Sequence, residues 1–171
     1  ILERAYQMVL ERDEVWVKVE HYALLITLYT ITGVKNIEEL MEKALKLDAL
    51  NTWITLAAQY SEMGKWEQTL EAAKSALALS PERHDILLLL GKAQVGLGLH
   101  EEALENYEKT LQQQSQNGEV WLETSQTYLA LEQYANAYSA LKNALATQNL
   151  SSVSRVKADN LQKKLSVQLR G

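Results

Sequence analysis

The sequence repeats itself. Residues 50–83, 84–117 and 118–151 align without a gap at a period of 34 residues. Trp53 shares a column with Leu87 and Trp121, Leu56 with Leu90 and Thr124, and Tyr60 with Gln94 and Tyr128. Small residues hold two further columns: Ala57, Gly91 and Ser125, then Thr69, Ala103 and Ala137. Gly64 lies over Gly98 and Glu132, and Ala76 over Thr110 and Ala144. Chains of this kind bury their apolar faces by stacking like units on one another. Within each unit apolar residues recur three and four apart, the α-helical period. Gly64 and Gly98 mark where the first helix of a pair ends, since a left-handed residue is cheap there. The small columns mark where the two helices must approach closely. Trp53, Trp121, Tyr60 and Tyr128 are then expected to fill the space between neighbouring pairs.

Seven glycines and one proline, Pro81, are too few punctuators for a strand-rich fold. With Ala, Leu, Glu, Gln and Lys abundant, the chain is predicted to be all-α.

The pattern Trp53-x2-Leu56-Ala57-x2-Tyr60, continuing through Thr69 and Ala73 to Pro81, resembles the tetratricopeptide repeat (TPR) family. Here Ala57 stands for the family's Gly and Thr69 for its Ala. The next window departs further, with Gln94 for the Tyr and Ser115 for the Pro. The resemblance implies a right-handed superhelical solenoid of antiparallel helix pairs. A weaker repeat is placed at 18–49, where Leu24, Leu25 and Leu28 precede Ile37 and Met41. Gly33 marks its turn, and Asn36 with Glu39 reads as a capping box. Its link from Leu45 to Trp53 is two residues shorter than that from Leu77 to Leu87, which calls for a tight exit. Residues 1–12 read as a partial N-terminal helix, and 152–171 as a C-terminal capping helix with Val153, Val156, Leu161 and Leu165 set against Arg155, Lys157, Lys163 and Lys164.

Little in the sequence suggests chemistry. No cysteine is present, so no thiolate metal site or disulfide framework exists, and no cofactor or metal is expected. His21, His84 and His100 pair with no second His at metal spacing. His100 sits in an aromatic column, which favours packing, and His84-Asp85 opens a helix, which favours capping. Acid pairs such as Glu38-Glu39 and Glu101-Glu102 suit the starts of helices. An enzyme is not supported. The net charge of −5 argues against a nucleic-acid surface. No apolar stretch approaches the ~20 residues of a spanning helix, so no membrane insertion by this segment is expected. The compartment is left open, with the cytoplasm favoured.

A scaffold that binds another protein is therefore the expected function. By the resemblance, repeat positions 2, 5, 9 and 12 line a concave groove. These are Val19, Tyr22, Ile26 and Tyr29; Asn51, Ile54, Ala58 and Ser61; Asp85, Leu88, Lys92 and Val95; and Glu119, Leu122, Gln126 and Leu129. Tyr22, Ile54, Leu88 and Leu122 form an apolar ladder, with Asp85, Glu119 and Glu123 as an acidic rim. The expected partner is a protein segment with apolar anchors and net basic character. The family's carboxylate-clamp cations are missing: Ile54 and Ala58, Leu89, then Glu119 and Glu123 occupy those places. The alternative is a structural spacer, or the soluble tail of a larger or membrane-anchored protein.

Overall fold

The structure, a computed structural model, describes residues 4, 19–32 and 37–168. Residues 1–12 (Arg4 apart), Trp16, Gly33 and Asn36 lie outside the described residues, and with them the partial first helix, the first turn and the capping box. The described residues form helices and no strand. In chain order these are α1 (Val19–Thr32), α2 (Glu38–Glu62), α3 (Trp66–Leu79), α4 (His84–Gly96), α5 (His100–Gln113), α6 (Gly118–Ala130), α7 (Tyr134–Ala146) and α8 (Ser152–Gln168). They form two compact units, residues 1–89 and 90–171.

In the first unit α1 packs on α2, and α2 on α3. The short exit expected after Leu45 is made by one residue. Asp48 leaves the helical region (φ −160°, ψ 99°), and α2 runs on as two limbs meeting there. Its carboxylate starts the second limb by accepting from the Asn51 backbone N–H at 2.9 Å, as an N-cap does. Thr52, fully buried, donates across the break to the Ala44 carbonyl at 2.9 Å. A two-residue saving thus replaces a loop with a kink.

In the second unit α5, α6, α7 and α8 stack in turn, with α8 also touching α6. Asn117 caps α6, its side chain accepting from Val120 N–H at 3.3 Å. Leu141, Ala144, Leu150, Ala158, Leu161 and Leu165 make a core in which α8 covers the last helix pair. Both small columns lie inside: Ala57, Ala103, Ser125 and Ala137 are fully buried. Ser125 also donates to the Ala137 carbonyl at 2.6 Å, tying its helix to the next.

The turn column separates two backbone solutions. Gly64 (φ 67°) and Gly98 (φ 78°) take the left-handed conformation expected of them, and Glu132 takes it too (φ 59°) without a glycine's freedom. That conformation costs a residue with a Cβ about 1–2 kcal/mol, while glycine's larger unfolded-state entropy returns part of the difference. Glu132→Gly is therefore expected to stabilise the chain by about 0.5–1 kcal/mol in denaturant unfolding. A loss of stability would show that the Glu132 side chain contributes more than its backbone costs.

Candidate functional site

The face to be tested is the one that the repeat register assigns to the first helix of each pair. In the first unit it falls on α1, the second limb of α2 and the start of α4. Tyr22, Ile26 and Tyr29 are 6%, 1% and 2% exposed, so the structure puts them in the core, and Val19 with them. The physical reason is the make-up of α1, which is apolar on most sides. Burying a side chain of this size stabilises by about 1.5–3 kcal/mol. Ile54, Ala58 and Leu88 remain partly exposed. Asp85 is not a free rim charge. It accepts from Arg83 Nη2 at 2.6 Å and Nε at 3.0 Å, and it also receives the Ile86 N–H at the start of α4. The Arg83 hydrogen bond is the main reason its carboxyl lies below the usual carboxylate range.

In the second unit the face falls on α4 and α6. Lys92, Val95, Glu123, Gln126 and Leu129 are partly exposed, and Lys92 Nζ lies 3.8 Å from Glu123 Oε1, linking the two helices. Leu122 is 2% exposed and belongs to the core shared with α7 and α8. Glu119 is also taken from the groove. Its carboxylate accepts from Ser154 Oγ at 2.7 Å and from Ser151 N–H at 3.4 Å, so it closes the start of α8. The last pair thus uses its positions 2 and 5 to hold the capping helix. Of the ladder, Ile54 and Leu88 keep accessible surface. Of the acidic rim, Glu123 remains, and Lys92 partly balances it.

Residues that the sequence reading did not single out build the junction behind this face. Asn149 accepts from Gly118 N–H at 3.1 Å and donates to the Gln116 carbonyl at 2.8 Å. A Cβ on Gly118 would fall 2.1 Å from Thr147 Oγ1, so this position has room only for glycine. An Asn-Gly pair before a helical period was the available signal. His100, expected to pack, has its Nδ1 buried without a partner among the described residues. Among the described residues no group of acids and histidines is arranged to hold a metal ion, and no helix is long and apolar enough to cross a membrane.

Tyr107 lies beneath the α4–α6 face. Its ring crosses Gly91, where an added Cβ would stand 2.4 Å from Cε1. Its hydroxyl is buried and, among the described residues, has no hydrogen-bond partner. Burial, and secondarily the charge of Glu123, push the phenol far above its ordinary value of 10.0. The unfolded chain therefore releases this proton first, and stability must fall as pH rises above about 10. Tyr107→Phe removes an unsatisfied hydroxyl and is expected to raise stability at neutral pH by about 1 kcal/mol. It should also flatten the alkaline decline, which unfolding measured from neutral to alkaline pH would show.

No family model matches the sequence, and no curated protein matches it. Solved structures do. MamA superposes with a TM-score of 0.61 at 26% identity, over 83% of this chain and 84% of that one. The type III secretion translocator chaperone SycD of Yersinia enterocolitica gives 0.66 at 17% identity, over 72% of this chain and 96% of that one. The TPR2B domain of yeast Sti1, solved in a complex with pHsp70, gives 0.63 at 20% identity, over 70% and 97%. The gapless register, the left-handed residues in its turn column and the buried small columns agree with these likenesses: the chain has the all-α tetratricopeptide-repeat fold.

Proposed function

We propose that the chain is a protein-interaction module that holds a segment of another protein along the first-helix face of its repeats. One observation carries this reading. First helices keep groove-position side chains partly exposed in each unit: Ile54 and Ala58 on α2 and Leu88 on α4 in the first, Lys92 and Val95 on α4 and Gln126 and Leu129 on α6 in the second, with Glu123 beside them. In the first unit Ile54 and Leu88 offer apolar groups at the same repeat position, which suits an extended or helical segment with apolar anchors. The similar Sti1 domain binds pHsp70 and the similar SycD is a translocator chaperone, which supports a protein as the partner class. The partner proposed here differs from a chaperone C-terminus, because no clamp cation stands at the required positions. Its basic character rests on Glu123 alone, since Asp85 and Glu119 are engaged within the chain.

The test uses two baits, the wild-type chain and Ile54→Ala/Leu88→Ala, in extract from the source cells. A protein retained by the first and lost by the second, and then titrated directly against both, supports the groove. A partner retained equally by both, and mapped by cross-linking to second helices, sinks it.

A further inference from the structure

We infer that the outward face of α8 binds the outward face of α5 on a second copy of this chain. On α8 the side carrying Ser154, Ala158, Leu161 and Leu165 is buried. The opposite side exposes Val153, Val156 and Val167 at 65%, 60% and 71%. Helical periodicity places Lys163 and Lys164 in the same strip as these valines. Arg155 and Lys157 flank it, against one acid, Asp159, in a chain whose net charge is −5. Among the described residues none of these four cations forms an ion pair.

The complement lies on α5. Its buried side carries Ala103, Tyr107, Thr110 and Leu111. Away from the core, Glu101, Glu105, Glu108 and Gln112 follow one another at spacings of four, three and four along one exposed line. The three glutamates repel one another, and among the described residues no cation pairs with them. Partly exposed Leu104 adjoins the line and offers the valines an apolar neighbour.

At 1.5 Å per residue the three glutamates span about 10 Å, which fits within the strip of about 21 Å that carries Lys163 and Lys164, with opposite sign. Both faces look away from the core of the same unit, so they cannot meet within one chain. Between two copies they can, and each copy carries both halves. Complementary charge fixes the pairing, and the valines toward the two ends of the strip add apolar contact. An anionic membrane would also attract α8 but leaves the acidic line of α5 without a role.

Sedimentation equilibrium of the full chain at about 50 mM and about 500 mM salt tests this. Concentration-dependent association is expected at low salt and should weaken at high salt. Lys163→Glu/Lys164→Glu and Glu105→Lys/Glu108→Lys should each weaken it about tenfold or more, because like charges then face each other. Mixing the two variants should restore association, since the reversed faces attract again. All four positions are exposed, so circular dichroism melts should match wild type. A chain that stays monomeric at low salt overturns the proposal. So does association that neither reversal changes. Sedimentation with anionic vesicles, lost in Lys163→Glu/Lys164→Glu and present without self-association, would assign the face to lipid and likewise overturn it.

Discussion

Gly91→Ala is expected to lower stability by about 2–3 kcal/mol, although alanine is the better helix former. In an exposed helix the exchange would gain about 1 kcal/mol. Here the new Cβ would stand 2.4 Å, 2.8 Å and 3.0 Å from three atoms of the Tyr107 ring. That ring is fully buried, so it cannot swing into solvent to make room. Overpacking of this kind costs about 1–3 kcal/mol or more, and it outweighs the propensity gain. Ala137→Leu should fall in the same range, because Ala137 is fully buried and its carbonyl is held by Ser125. Lys142→Ala, on the exposed side of α7, should stay within about 0.5 kcal/mol. Thermal melts of the three variants check the register directly. Cutting back the ring gives a sharper measure. In a double-mutant cycle with Tyr107→Leu, the Gly91→Ala penalty should shrink, with a coupling of about 1 kcal/mol or more. If the two effects simply add, the close approach of α4 and α5 is not where the cost arises.

Ile54→Ala/Leu88→Ala is expected to weaken partner binding by more than about 2 kcal/mol, or roughly 30-fold in Kd. Both side chains are suited to be anchors, being partly exposed apolar groups at the same repeat position. Each truncation also removes some packing, so binding must be measured well below the melting temperature of the variant. Glu123→Gln should act differently. It removes a charge that Lys92 already partly balances at 3.8 Å, so it should slow association modestly and flatten its salt dependence. Leu122→Ala tests the structure against the repeat pattern. Leu122 is core, so its truncation should cost about 2–5 kcal/mol of stability. Calorimetric titration beside thermal unfolding separates the two kinds of effect. Unchanged affinity in the Ile54/Leu88 variant would remove the first-helix face as the docking surface.

The helix pairs, their turns and their close approaches could be read from the sequence, because each rests on a local requirement repeated at a fixed period. Gly64 and Gly98 were legible because a left-handed turn favours glycine, and Gly91 because a neighbouring side chain fills the space of its Cβ. Glu132 was legible by its column alone, since its own residue type argues against the conformation it adopts. The binding face was harder to read. Aligning the repeats treats Tyr22, Ile54, Leu88 and Leu122 as one kind of position, whereas exposure depends on what packs over each. Ile54 and Leu88 stay accessible. Tyr22 sits on a helix that is buried on most sides, and Leu122 joins the core that α8 completes. Glu119 and Asp85 read as rim charges, yet hydrogen bonds to Ser154 and Arg83 engage them. Only the tertiary structure decides such matters, because a repeat pattern records what a residue does within its own helix pair and not which neighbours outside that pair pack over it or engage its charge.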